Sequence, residues 1–429
     1  LLAAAVLGTS LLYFGIARIM LLDMAVSVLM SATLFCFILG VRETPGPRRR
    51  WLFYGLYASA ALATLTKGLI GFLVTGAVMF LWLLIFNQWK RLRTLHLPSG
   101  ILLFLAIAAP WHILAAQHNE TWVHRYFVYE HWERFMTPAA SRPGAWHYFV
   151  WIVLAWLMPW TGFLWSSVRE VLRGGWAKLH EKADARLFIT WAGLIFLFFS
   201  KSHSKLAPYI VPIFPALAVL IGGWLAQVAR ADEGAKRLRF GLGAFSFFCG
   251  LMALALCLAV SRPALVRLPV EQALALQIPA YCMAGVLLLG GIFTPWQAKI
   301  RGVRSAVAGL VGTMTLFLGV LTVAAPDIPK PGTKQLADVV VARAKPGDRV
   351  MHYYEFFPDC TCYAQRTVDV LAFKGELELE EDAEAQRAGR VNMSEAKFRE
   401  IWAGPVRVWA VVLNKDKAAL DQTRADLSA

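Results

Sequence analysis

Charge is scarce in this chain. Only 17% of its 429 residues are Asp, Glu, Lys or Arg, against 58% hydrophobic, and the mean hydropathy is +0.53. An ordinary soluble protein is excluded, because the polar residues needed to cover its surface are not there. Acidic residues are the scarcest, 28 against 43 Lys and Arg, which leaves a net charge of +15. That excess does not point to nucleic acid: the basic residues fall in short clusters between apolar runs, the pattern of membrane orientation. No charged stretch precedes the first apolar run, so no cleavable signal peptide is read. The chain opens at Leu1, directly into an apolar run, and its natural N-terminus is expected upstream. It has no repeat of solenoid period and no low-complexity segment. Of six cysteines, Cys36, Cys249, Cys257 and Cys282 lie in apolar runs as packing residues. Cys360 and Cys362 form a Cys-Thr-Cys in the polar tail. An oxidising compartment would allow a strained disulfide between them, while a metal site needs more ligands than this pair.

What is present is a succession of apolar windows about 20 residues long, each enough to cross a bilayer as a helix. About eleven are read, near 1–16, 22–40, 51–66, 69–86, 99–115, 147–168, 187–199, 208–228, 240–260, 278–295 and 305–324. The window at 187–199 is short and borrows from its flanks. If the loop after 22–40 is cytoplasmic, alternation puts nineteen Lys and Arg in cytoplasmic loops and nine in the opposite set. Each cytoplasmic loop alone carries at least three, so the orientation does not rest on one cluster. The loop around Lys201 and Lys205, the long loop from Gln117 to Trp146, and the tail from Asp327 onward are then extracytoplasmic.

That tail is a second domain, 327–429 after a membrane domain at 1–326. It is charged, with a Lys-Pro-Gly turn at 345–347. Strand-like runs fall at 348–354, 367–373 and 406–413, and helices at 376–390 and 394–402, the latter with Ser394 as N-cap. A small α/β fold of about 100 residues is predicted.

Four outer loops each bring an ionisable group to the membrane surface. The segment 200–215, SKSHSKLAPYIVPIFP, sets Lys201, His203 and Lys205 between two apolar runs. Hydrocarbon does not solvate such a cluster, which belongs at a boundary; ordinary loop cations at a helix end are the default reading, and the extracytoplasmic side, which normally lacks basic residues, argues against it. Asp23 stands at the outer start of the second span. It is either an active-site acid or a helix N-terminal carboxylate favoured by the dipole by roughly 0.3–1 kcal/mol. Lys67 lies in a tight turn beside Gly68 and Gly71, where the backbone can approach a ligand closely; a snorkelling lysine is the other reading. Between Gln117 and Phe135, six aromatics interleave with His124, Arg125, Glu130, His131, Glu133 and Arg134, predicting an interfacial helix. Glu130 and His131 could supply metal ligands, although an adjacent pair is a weak signal. Arg134 and the lysines could clamp a phosphate, stabilising charge on a phosphate leaving group. Such a set suits a substrate that is itself a lipid phosphate.

Leu65-Thr66-Lys67-Gly68, the run EHWERF at 130–135, and SHSKLAPYIVP at 202–212 resemble, in this order, motifs of the bacterial ArnT-like glycosyltransferases. These belong to the membrane GT-C class that includes the protein O-mannosyltransferases. FKGELEL at 373–379 is similar to that family's extracytoplasmic domain. The resemblance covers nearly the whole chain. It implies an α-helical polytopic fold of GT-C type in the bacterial inner membrane, with a small periplasmic α/β domain. It also implies inverting transfer of a sugar from a polyprenyl-phosphate donor to lipid A or another glycan acceptor. By the same resemblance Lys67 and Arg134 would bind the lipid phosphate, and Lys205 and Tyr209 would line the same cavity, with Lys201 nearby. Asp23 would be the second acid of the site, and Glu130 and His131 would border a site for a divalent metal, zinc or magnesium. Ala207 stands where the family usually has proline. The family's first two spans and first outer loop, with the main catalytic aspartate, would lie upstream of Leu1, so the chain by itself is expected to be inactive.

Two other functions remain open at this point. An anionic-lipid transporter or flippase would need functional groups at the bilayer midplane, whereas these gather at the outer ends. A non-catalytic membrane scaffold would make the outer charges dispensable.

Overall fold

The structure is a computed structural model that describes residues 1–118, 122–133, 144–175, 182–230, 236–326, 328, 332–372 and 393–428. It separates into two compact units, Leu1–Ile328 and Pro329–Ala429.

Among the described residues the first unit is built of helices, the only open solution for a chain whose backbone groups find no water in hydrocarbon. Its helices are α1 (Leu2–Gly8), α2 (Leu11–Ile16), α3 (Leu22–Arg42), α4 (Pro47–Lys67), α5 (Ile70–Ile85) and α6 (Leu97–His118). After a π-helix at His124–Glu133 come α7 (Tyr148–Trp156), α8 (Thr161–Leu172) and α9 (Ala183–Lys201). A 3₁₀ turn (Ala207–Ile213) leads into α10 (Phe214–Arg230), followed by α11 (Arg239–Ser261), α12 (Val270–Arg301) and α13 (Val303–Ala324).

Each of the eleven apolar windows is helical, but not every one is a straight span. Seven among the described residues are long and apolar enough to cross a membrane: α3, α6, α9, the 3₁₀ turn with α10, α11, α12 and α13. The window at 147–168 is two helices, α7 and α8, bent by 105°. Pro159, which has no backbone N–H to donate, lies in the break. The window at 1–16 is interrupted too. The hydroxyls of Thr9 and Ser10 donate to the carbonyls of Ala5 and Val6 at 2.6 and 2.7 Å, competing with the helical ladder where α1 gives way to α2. α12 is far longer than its window at 278–295.

Small residues let the helices approach closely, as expected where water no longer drives association. A Cβ on Gly40 of α3 would meet the Phe53 ring of α4 at 2.7 Å. The same two helices share a hydroxyl bond, Thr33 to Ser59, at 2.9 Å. Trp191 of α9 donates to the Pro212 carbonyl at 2.9 Å, tying the 3₁₀ turn to the bundle.

The second unit holds a three-stranded parallel sheet in the order β2-β1-β3, with β1 Arg349–Tyr353, β2 Asp369–Leu371 and β3 Val408–Val411. Its helices are α14 (Lys334–Arg343), α15 (Pro358–Ala364), α16 (Glu395–Ala403) and α17 (Lys417–Ser428). All three predicted strands are present, each shorter than expected. Ser394 caps α16, its hydroxyl accepting from the Lys397 N–H at 3.3 Å. The helix read at 376–390 lies outside the described residues. Cys360 is buried and Cys362 exposed, both as free thiols. Two residues apart on α15 they point to different sides, which separates the sulfurs.

Candidate functional site

Three residues distant in sequence meet at one end of the first unit. Asp23 sits in the first turn of α3 and Lys67 is the last residue of α4. Each therefore lies at the helix end whose dipole favours its charge. The Lys67 ammonium donates directly to Asp23 Oδ1. Lys67 Nζ also lies 4.8 Å from the ring centroid of Tyr209, on the 3₁₀ turn. The pair is neither sealed nor free: the side chains keep 30% (Lys67) and 16% (Asp23) of their surface exposed. The dipole reading and the site reading of Asp23 are thus compatible.

The glycines after Lys67 have separate tasks. Gly68, at φ +90°, ends α4 with a backbone that residues bearing a Cβ rarely adopt. Gly71 packs against α4 itself, where an added Cβ would fall 2.6 Å from the Ala63 Cβ. It brings α5 close to α4 rather than opening the backbone to a ligand.

Lys205 is buried, and its ammonium donates to the carbonyls of Phe199, Ser200 and Ser202 at 3.3, 2.8 and 2.6 Å. All three N–H donors are thereby used on the C-terminal end of α9. Burial lowers the Lys205 ammonium below the usual lysine range. Its stem packs beside Gly144, and Nζ stands 5.7 Å from the Phe149 ring centroid. The Phe199 ring packs on Tyr209 at 5.5 Å between centroids. Lys205 thus supports the turn that carries Tyr209. Lys201 and His203 are exposed.

The expected interfacial helix is a π-helix, a rare form that recurs at functional sites. Glu130 is half-buried on it, the His131 side chain lies outside the described residues, and so does Arg134. Among the described residues no group of three or more His, Cys, Asp or Glu side chains could hold a metal ion. Glu130 and His131 alone fall short of a four-ligand zinc set.

Sequence reasoning passed over His112. From the C-terminal part of α6 it bridges to the π-helix, with Nδ1 2.7 Å from the Ala108 carbonyl and Nε2 3.0 Å from the Tyr126 hydroxyl. A carbonyl only accepts, so Nδ1 donates; in the neutral ring Nε2 then accepts from Tyr126. Tyr126 stacks on Trp122 at 4.7 Å. The available signal was an ionisable residue inside an apolar window.

The family profile "Dolichyl-phosphate-mannose-protein mannosyltransferase" matches residues 1–129. The chain is 29% identical over 255 residues to the undecaprenyl phosphate-alpha-4-amino-4-deoxy-L-arabinose arabinosyl transferase of Edwardsiella ictaluri, covering 59% of this chain and 45% of the relative. It is 26% identical over 356 residues to arabinosyl transferase 1 of that type from Proteus mirabilis, covering 82% and 59%. The chain thus spans about half the length of the curated relatives it matches. The crystal structure of ArnT from Cupriavidus metallidurans bound to undecaprenyl phosphate matches with a TM-score of 0.80 at 25% identity, over 98% of this chain and 76% of that one. Its apo form gives 0.77. The resemblance to ArnT-like GT-C glycosyltransferases therefore holds in sequence and in fold, and the chain is a polytopic membrane protein.

Proposed function

We propose that this chain carries donor-site elements of an inverting glycosyltransferase. It would take a sugar from a polyprenyl-phosphate donor to lipid A or a similar glycan acceptor on the periplasmic side of the bacterial inner membrane. The observation that carries the reading is the meeting of Asp23, Lys67 and Tyr209 at one end of the bundle. The names of the relatives make undecaprenyl phosphate carrying 4-amino-4-deoxy-L-arabinose the donor to try first.

In an inverting transfer the acceptor oxygen attacks the anomeric carbon from the face opposite the phosphate. The carbon–oxygen bond to phosphate breaks, its electron pair leaves with the phosphate, and the acceptor proton passes to a base. Lys67 stabilises the negative charge that gathers on the leaving phosphate, an interaction stronger in the transition state than in the ground state. Asp23 holds that ammonium in place before the donor arrives, and the Tyr209 ring shields one side of it from water. Arg134 would be the second cation on the phosphate, with Lys201 at the rim. A divalent metal beside Glu130 and His131 would supply further charge stabilisation once bound.

The test uses the intact protein in membranes supplied with the labelled donor. Lys67→Ala and Arg134→Ala should each abolish most transfer. Undiminished transfer in both would overturn the phosphate-clamp assignment. Labelling of the exposed Cys362 by a membrane-impermeant maleimide in spheroplasts, with the other thiols removed, reports whether the second unit is periplasmic.

A further inference from the structure

A cavity of about 440 Å³ opens between α12 and α13, on helices that contribute nothing to the site of Asp23 and Lys67. The two helices form a hairpin whose only link is Gly302, at φ +78°. Arg301, Gln297 and Ser305 line the cavity near this tip. None of the three side chains has a hydrogen-bond or ion-pair partner among the described residues. Away from the tip the lining becomes apolar, through Phe293 to Leu316 and Val286.

The helices are close at the floor because it is built of small residues. A Cβ on Gly290 would lie 2.2 Å from Thr313 Cγ2, and one on Gly309 would lie 2.8 Å from Thr294 Oγ1. Phe293 and Leu316 flank it as exposed walls, at 50% and 62% of their surface. The result is a furrow with a cationic, hydrogen-bonding mouth and a hydrocarbon length. From Arg301 to Val286 it runs about four helical turns, roughly 22 Å. Half the hydrocarbon core of a bilayer is about 15 Å, so the furrow accommodates a headgroup and the chain of one leaflet.

The mouth also fixes the leaflet. Lys299, Arg301 and Arg304 flank the hairpin tip, in a loop that the distribution of basic residues assigns to the cytoplasm. Basic pockets between transmembrane helices on that side suit anionic lipid headgroups. We infer that the furrow between α12 and α13 is a binding site for one anionic phospholipid of the cytoplasmic leaflet. Arg301, with Gln297 and Ser305, holds the phosphate, and an acyl chain lies along the small-residue floor. A free phosphate would use the mouth and leave the apolar length empty. The site is independent of the transfer reaction and stands or falls separately from it.

The test is native mass spectrometry of the full chain, exchanged into detergent with phosphatidylglycerol or with phosphatidylcholine of the same acyl chains. The expected result is one phosphatidylglycerol retained, by about tenfold or more over phosphatidylcholine. Arg301→Glu should erase that preference. Ala308→Trp, which fills the furrow from an exposed position, should release both lipids. If Arg301→Glu fails to fold, Arg301→Gln with an unchanged melting temperature takes its place. Inorganic phosphate at the same concentration should displace no lipid. Equal retention of the two lipids by the unmodified chain, displacement by inorganic phosphate, or unaltered binding in Ala308→Trp would overturn the inference.

Discussion

Lys67 and Asp23, 44 residues apart, form an ion pair between the end of α4 and the start of α3. Both helix dipoles favour the charges placed there, so the pair needs no further partner to hold it. Under the proposed function an anionic donor would draw on Lys67 by sharing it with Asp23. Lys67→Ala should lower kcat/KM for transfer by about 10²–10³-fold, the range for removing one donor to developing charge. Stability should fall by only about 1–3 kcal/mol, since the Asp23 left behind keeps some access to water. Turnover with the labelled donor measures the first and a melting curve the second. Activity within about threefold of the parent would remove Lys67 from the mechanism.

Gly68 offers a way to move Lys67 without changing its charge. At φ +90° and ψ −169° its backbone lies in a region nearly closed to other residues. Gly68→Ala should cost about 1–3 kcal/mol or displace the end of α4. Because the ammonium then sits elsewhere, kcat should fall more than donor KM rises. A rise in KM alone would mean that Lys67 only tethers the donor.

The apolar windows at 22–40, 240–260 and 305–324 became α3, α11 and α13 with small changes at the ends, because a run of that length has no other stable form in a bilayer. Ser394 was equally legible, since its cap depends on residues three apart. The bend between α7 and α8 was not: hydropathy registers how apolar a stretch is, not the direction of its axis. Lys205 was legible as a cation out of place, yet the three carbonyls that hold it come from the shape of the turn. His112 was hidden by its neighbours, because the Tyr126 that explains it lies on another element. Asp23 and Lys67 each stood out singly, but their pairing depends on how α3 and α4 pack.

Lys205 and Lys67 should separate by readout. Lys205→Met removes three bonds to carbonyls at the end of α9 and leaves those acceptors unpaired in a buried turn. A loss of about 2–4 kcal/mol follows from the cost of unsatisfied buried groups. It should appear as a lower melting temperature and lower abundance in the membrane, with activity falling through the displaced Tyr209. A Lys205→Met protein that melts like the parent but no longer binds donor would reverse this, making Lys205 a direct phosphate ligand.

The second unit carries an acid-sensitive position in His352, the fourth residue of β1. The side chain is fully buried; Nδ1 accepts from the Phe357 N–H at 3.1 Å, and Nε2 has no partner among the described residues. Burial lowers its pKa from 6.5 to about 4, against a smaller opposing pull from Asp359. The folded unit therefore prefers the neutral ring, while the unfolded chain takes up a proton near pH 6.5. Stability from this group is complete above pH 6.5 and is lost as the pH falls toward 4, by up to roughly 3 kcal/mol. Hydrogen exchange of the β1 and β3 amides, corrected for intrinsic rates, should accelerate across that interval. His352→Leu should exchange slightly faster at pH 7.5, because the Phe357 N–H loses its acceptor at a cost of about 1 kcal/mol. Its dependence between pH 6.5 and 4 should nonetheless flatten. An unchanged slope in His352→Leu would assign the acid sensitivity to the carboxylates of the unit instead.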